Sequence, residues 1–366
     1  MKLLCAVTLT LLLLATAATP QRGVSGGSVK GRVLCEDTQG AARRAYVSLQ
    51  APIKQGVFEP PGEAFGATTD LNGSFAISNV TPGEYYVVVT YPGYLSAKDY
   101  IFPGALSPEL SGSREQLPSF VQRVAIVSGG DVDVEIRLKH GGAISGSVAY
   151  SDGAPVPYIA VNPAIKMSDG TFARVLNLAH ADSSGKYRID GLPDGSYALV
   201  GADAGSDEVT VFGGDKIGSG GWITFAGGGM RASKARLVVV SSPKESAGVN
   251  IMIPLTGVHE ISGTVSAADG HRLNHGLVRI FPTGEPLFSL AAPLGADGTF
   301  SFHRVPPDSY TIQVQDASDW TIVPKTDRAV RYDQRTLVQS YGTGSKDIKV
   351  ADADITNLSV AVSPTQ

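Results

Sequence analysis

One pattern recurs three times along this chain and constrains its architecture more than any single residue does. An apolar-x-Gly-x-Val segment appears as Val29–Val33, Ile144–Val148 and Ile261–Val265, with its glycines 115 and 117 positions apart. Each copy is followed by an Asx-Gly turn and an aromatic: Asp70-Leu71-Asn72-Gly73 before Phe75, Asp182-Ser183-Ser184-Gly185 before Tyr187, and Asp297-Gly298 before Phe300. Asp and Asn bond their own backbone and glycine supplies positive φ, so this spacing predicts a hairpin. A tyrosine then stands ten positions after each aromatic, at Tyr85, Tyr197 and Tyr310, each preceded by a proline-bearing turn. The tyrosines head alternating segments, Tyr85-x-Val87-x-Val89, Tyr197-x-Leu199 and Tyr310-x-Ile312-x-Val314, the period of a strand with one buried face.

A period this long is one small sandwich domain and too long for a solenoid repeat. Each unit closes on another alternating strand, Asp131–Leu138, Val249–Leu255 or Leu358–Val362, and sustained helical periodicity is nearly absent. The expectation is an all-β chain of three tandem Greek-key sandwiches of about seven strands each, spanning 24–140, 141–256 and 257–366. Five residues separate Leu138 from Ile144, and five separate Leu255 from Ile261. Connections so short predict a semi-rigid, end-to-end array.

Residues 1–17 read as a secretory signal peptide. Lys2 precedes a twelve-residue apolar run, Leu3–Leu14, which ends on Ala15-Thr16-Ala17. A membrane-spanning helix needs roughly 20 apolar residues, so the run fits export better than anchoring. Cys5 falls inside that run without the small residues that precede a lipidated cysteine, which leaves Cys35 as the one thiol of the exported product. Each domain must therefore be held by its own core, with Cys35 expected as a small apolar filler in a strand. A net charge of −4 gives no electrostatic reason to bind nucleic acid or an anionic membrane.

These motifs resemble the carboxypeptidase regulatory-like family, a transthyretin-like and carbohydrate-binding-like β-sandwich. The first unit carries the whole pattern, including Pro82-Gly83-x-Tyr85 and Tyr91-Pro92-Gly93-Tyr94. The second unit has Ala204-Gly205-Ser206 where a second glycine-tyrosine would stand. The third replaces Pro-Gly by Asp308-Ser309. The resemblance implies the fold and a regulatory, non-catalytic module; one fold hosts many roles, so function must come from the site.

No catalytic, cofactor or metal constellation is expected. Of the histidines at 140, 180, 259, 271, 275 and 303, only His271 and His275 are close, and they read as a solvated loop. The turns at Asp70, Asp182 and Asp297 each offer a single carboxylate, where a calcium loop assembles several. Gly218-Ser219-Gly220-Gly221 and Gly227-Gly228-Gly229 lack the lysine and helix that cradle phosphate and read as mobile loop. The aromatics Tyr91, Tyr94, Tyr100, Phe102, Trp222 and Trp320 are candidate ligand contacts, because sugars stack on exposed rings and loops at sandwich ends carry binding. Packing at the sandwich ends is the competing role. The chain is thus expected to be an exported, non-enzymatic interaction scaffold with a protein or polysaccharide partner at the cell envelope. The second expectation is a carbohydrate-binding protein, and the third an accessory array of a peptidase or outer-membrane receptor system.

Overall fold

The structure is a computed structural model, and it describes residues 26–52, 65–101, 118–203, 221–323 and 334–365. The signal segment, Cys5, Phe102, Ala204–Ser206 and Gly218–Gly220 lie outside the described residues. The fold is all-β, with several sheets arranged as three sandwiches.

The first sandwich contains β1 (Gly27–Cys35), β2 (Tyr46–Gln50), β3 (Phe65–Thr68), β4 (Ser74–Val80), β5 (Gly83–Thr90), a one-turn helix α1 (Lys98–Ile101), β6 (Gln122–Ile126) and β7 (Asp131–Leu138). Its sheets run β4-β1-β7 and β3-β2-β5-β6. The middle sandwich contains β8 (Gly142–Tyr150), β9 (Ala160–Lys166), β10 (Phe172–Arg174), β11 (Ala179–His180), β12 (Lys186–Leu192), β13 (Gly195–Asp203), β14 (Trp222–Phe225), β15 (Val238–Val240), β16 (Glu245–Ser246) and β17 (Ile251–Ile253). One sheet runs β12-β8-β16 with β17 also on β8; the other runs β10-β9-β13-β14 with β11 on β9 and β15 on β13. The third contains β18 (His259–Ala267), β19 (His275–Pro282), β20 (Leu290–Pro293), β21 (Thr299–Val305), β22 (Asp308–Val323), β23 (Gln334–Ser340), β24 (Gly344–Val350) and β25 (Ile355–Val362). Its sheets run β21-β18-β25 and β20-β19-β22-β23, with β24 on β22.

The repeat has a physical cause in each motif. The first strand of every unit lies between an antiparallel neighbour and a parallel closing strand: β1 between β4 and β7, β8 between β12 and β17, β18 between β21 and β25. A Cβ on Gly31, Gly146 or Gly263 would overlap the carbonyl oxygen of Val134, Val249 or Leu358 on that parallel strand. Each Asx turn closes on its own carboxylate. Asp70 Oδ1 accepts the Asn72 and Ser74 amides at 2.8 Å, Asp182 Oδ1 those of Ser184 and Lys186, and Asp297 Oδ1 that of Thr299. These oxygens close the turns, but the hairpins expected there do not form: each turn carries the chain from one sheet of its sandwich to the other, β3 to β4, β11 to β12 and β20 to β21. The three tyrosines form corners four residues deep: Tyr85 donates to Thr81 O at 3.0 Å, Tyr197 to Pro193 O at 2.6 Å and Tyr310 to Pro306 O at 2.8 Å. Their rings are buried, Tyr197 and Tyr310 completely.

The one-sided alternation expected of the strands after these tyrosines holds only in the third unit. In β5 the outward Val88 lies under Leu95, Ala97, Phe120 and Val121. In β13 the outward Ala198 and Val200 belong to the same core as Ile223 and Phe225 and as the third sandwich. Both sheets are covered on two faces, so their strands carry near-continuous apolar runs, whereas β22 alternates Tyr310, Ile312 and Val314 with Thr311, Gln313 and Gln315. Cys35 is a buried free thiol in the first core. Gly227–Gly229 closes an ordered turn: Gly228 N donates to Phe225 O at 2.8 Å and Phe225 N to Gly229 O at 2.9 Å. The mobile loop expected there is a tight reversal.

Candidate functional site

The aromatics singled out in the sequence fall into two groups. Trp222 sits on the inner face of β14, 4% exposed in the middle core, and offers no face to a ligand. Tyr91 and Tyr94 pack on the first core with ring centroids 5.3 Å apart. Tyr100 packs on the middle core and meets Phe120 edge-on at 5.5 Å. These three tyrosines belong to the junction between the first and middle sandwiches.

That junction is bracketed by the Tyr91–Tyr94 turn. Leu95 N donates to Lys139 O and Gly141 N to Gly93 O, both at 2.9 Å, so the linker is stitched to the turn as a short strand. The Tyr94 ring lies 4.9 Å from His140. Its hydroxyl donates to Asp37 Oδ1 at 2.9 Å, and burial beside Cys35 and Asp37 holds it well above its usual range. On the far side stands Gly191, at φ +65, where a Cβ would come within 2.5 Å of the Tyr94 carbonyl oxygen. Leu176 N of the middle sandwich donates to Asp99 Oδ1 on α1 at 2.7 Å.

The junction between the middle and third sandwiches is built differently. The outward faces of β9, β13 and β14 continue into the third core, with Phe225 edge-on to Phe288 at 5.5 Å. Arg231 then spends its guanidinium on the third sandwich. It contacts Asp308 through Nε at 3.1 Å and Nη2 at 3.2 Å, Glu285 at 3.2 Å, and the carbonyls of Thr283 and Ser309. Burial pushes the Asp308 carboxyl up, but Arg231 overrides this and holds it below its ordinary value. Arg174 donates to Leu287 O at 3.0 Å and lies 4.6 Å over the Phe288 ring.

Trp320 is the exception among the described candidate aromatics, because it joins none of the buried clusters. It sits where β22 leaves the sandwich to pair with β23, and it is pinned at every polar atom. Its backbone N and O are bound by the Asn274 side chain at 2.9 and 2.8 Å, and its Nε1 donates to Ser318 Oγ at 2.9 Å. His275 meets the ring edge-on at 6.1 Å. Beside it, His271 Nδ1 lies 2.7 Å from Asp269 Oδ1 and Nε2 2.7 Å from Asp319 Oδ2. The Tyr341 hydroxyl donates to Asp319 Oδ2 at 2.8 Å and lies 3.1 Å from His271 Nε2.

An imidazole faced by carboxylates at both nitrogens satisfies both only as the imidazolium, which has two N–H groups. The hydrogen bonds to Asp319 and then Asp269 accordingly raise the His271 pKa. Burial raises Asp319, but His271 and Tyr341 bring it below its usual value. Tyr341 is pushed up to about 12 by burial and by Asp319. The cluster ties the β18–β19 turn to the root of the β22–β23 hairpin. Its histidine nitrogens point at carboxylates on opposite sides and do not converge on one point. Among the described residues no group of three or more His, Cys, Asp and Glu side chains is placed to hold a metal ion. The sequence spacing of His271 and His275 suggested only solvated loop; Asp319 and Tyr341, far along the chain, make it a network, and no local pattern announces them.

Residues 28–139 match the model of the carboxypeptidase regulatory-like domain. No curated protein matches the chain. Among solved structures it is similar to the Bacillus anthracis TIE protein, at 14% identity and a TM-score of 0.20, covering 93% of this chain and 51% of that one. It is also similar to BcpA, the major pilin subunit of Bacillus cereus, at 12% identity and a TM-score of 0.21, covering 93% and 99% of the two chains. GBS52, the minor pilin of Streptococcus agalactiae, is similar at 14% identity and a TM-score of 0.22, with 62% and 96% covered. The chain spans about half the length of the TIE protein. Superposition scores this low say nothing about what the chain does. Among the described residues no helix is long and apolar enough to cross a membrane.

Proposed function

We propose that this chain is a non-catalytic interaction scaffold of three tandem sandwich domains, bounded near 24–140, 141–256 and 257–366 and exported to the cell surface or periplasm. The observation that carries this reading is the pair of filled junctions. Leu95 and Gly93 bind the first linker through backbone hydrogen bonds, and Arg231 and Phe288 close the second contact with a half-buried ion pair and an edge-on ring contact. Rigid relative placement of three small domains is useful to a spacer or a presenter of loops, and the apolar area spent on it has no role in isolated modules. The signal-peptide reading of residues 1–17 supports export.

Small-angle scattering of the mature chain tests the scaffold. A single elongated conformation with a narrow distance distribution is expected, and a broad distribution typical of independently moving modules would contradict it. A second reading, carbohydrate binding at the third sandwich, is favoured by Trp320 alone, a half-buried ring beside Asn274, His271 and Asp319. A glycan-binding screen with a Trp320→Ala control separates the two: saturable binding abolished in the control would promote it over the plain scaffold.

A further inference from the structure

The first junction holds one group that neither the fold nor the scaffold reading uses. Asp99 lies on α1 between the first and middle sandwiches, 1% exposed. Its Oδ1 accepts the Leu176 amide of the middle sandwich at 2.7 Å, while Oδ2 is buried with no hydrogen-bond partner among the described residues. Its neighbour Tyr100 packs into both the small cluster over β5 and the middle core, so α1 is the wedge on which the two sandwiches meet. The charged and titratable groups acting here are Lys98 and Tyr100 on α1, and Tyr197 and Asp194 from the middle sandwich. Asp194 carries the same sign as an ionised Asp99, and Lys98 is the one cation among these groups.

We propose that Asp99 makes the first junction a proton-dependent latch, closed when its carboxyl is neutral and loosened when the carboxyl ionises. A buried carboxylate with one unsatisfied oxygen costs free energy that a neutral carboxyl mostly avoids. Burial accordingly raises the Asp99 pKa to about 6, with the Leu176 amide and Lys98 pulling weakly the other way. In an opened junction the carboxyl is solvated and returns to the ordinary carboxylate range. The raised value belongs to the docked state, so docking takes up a proton. Its proton-linked stabilisation is full below the ordinary carboxylate range and is lost as pH rises through about 6. A difference of about two units corresponds to a docking equilibrium roughly a hundredfold weaker at pH 8 than at pH 4. The inference rests on the rigid-junction reading and adds its regulation.

Hydrogen exchange at the Leu176 amide, followed by mass spectrometry on peptides spanning the β10–β11 segment and corrected for intrinsic pH dependence, reads the latch directly. Protection should fall about tenfold between pH 5 and pH 8 in the wild-type chain, the part of the linkage that lies in that window. Asp99→Asn, neutral at every pH, should keep its protection at both. Protection that is high and equal at both pH values in the wild type would overturn the latch and leave the rigid scaffold standing. An amide unprotected at both values would sink the rigid junction itself. The Asp99 carboxyl can also be titrated by carbon NMR in the unmodified chain, which decides the matter even if the variant misfolds: titration in the ordinary carboxylate range overturns the proposal.

Discussion

Gly31, Gly146 and Gly263 recur because a parallel strand passes where their side chains would stand. The recurrence is legible in the sequence; the cause is not, since Val134, Val249 and Leu358 lie about a hundred residues away in each unit. Adding one methyl group there forces β8 off its parallel partner. Gly146→Ala is therefore expected to destabilise the middle sandwich by about 1–3 kcal/mol in chemical denaturation, the usual cost of overpacking. Tyr197→Phe removes the corner bond and leaves the Pro193 carbonyl without it, at a cost of about 1–2 kcal/mol. A loss below the measurement error would mean that the corner is decorative. His271 behaves oppositely to a corner tyrosine, because its contribution depends on charge. Its pKa is raised in the folded state, so the tie to Asp269 and Asp319 is full below the ordinary histidine range and lost as pH rises through the raised value. Hydrogen exchange in β23 should accelerate on alkalinisation in the wild type and be fast and pH-insensitive in His271→Ala once intrinsic rates are removed.

Strands show how far local sequence can be read. The Asx-Gly turns, the corner tyrosines and the closing strands are local patterns with a mechanism, and they locate the turns of all three units; that these turns cross between sheets and close no hairpin is a tertiary fact the local pattern does not carry. Which face of a strand is covered is a tertiary fact. Tyr85-Tyr86-Val87-Val88-Val89 and Tyr197-Ala198-Leu199-Val200 show period two at their tyrosine-bearing positions, yet the intervening residues are also apolar because α1 or the third sandwich lies over them. Thr311, Gln313 and Gln315 mark β22 as the strand with one wet face, a difference visible in the sequence once the in-between positions are given equal weight. The candidate site was less legible: Trp320 could be nominated as an unplaced ring, but the Asn274 side chain that holds its backbone comes from a distant turn, and Tyr341 joins the neighbouring cluster through Asp319 from the other side. Substitution tests the face assignment. Val200→Asn buries an amide without partners on the covered face and should cost about 3 kcal/mol. Gln313→Thr, on the open face of β22, should stay within about 0.5 kcal/mol. Comparable losses at the two positions would contradict the difference in cover.

At the scale of the molecule, two places where one described unit differs from another are where sandwiches touch. With the corner tyrosines aligned, the third unit has Asp308 where the first has Gly83, and Asp308 receives Arg231 from the sandwich before it. Gly191 stands where the first unit has Asn79, and the second unit needs glycine there because the Tyr94 carbonyl approaches so closely. In both cases the differing residue lies at a junction. Arg231 is 15% exposed and Asp308 20%, so the pair is largely desolvated, and removing one partner strands the other. Arg231→Ala is expected to cost about 3 kcal/mol or more, whereas adding Asp308→Ala to it should restore part of that loss. Phe288→Ala opens a cavity against Phe225 at about 3–5 kcal/mol. Because these residues sit in a core shared by two sandwiches, their loss should change cooperativity as well as stability. Calorimetry of the wild-type chain should show the middle and third sandwiches unfolding in one transition, and Arg231→Ala with Phe288→Ala should split it into two. Two separate transitions already present in the wild type would mean that the contact is too weak to couple them. The third sandwich would then be a tethered neighbour, and the rigid placement of Trp320 relative to the first sandwich would be lost with it.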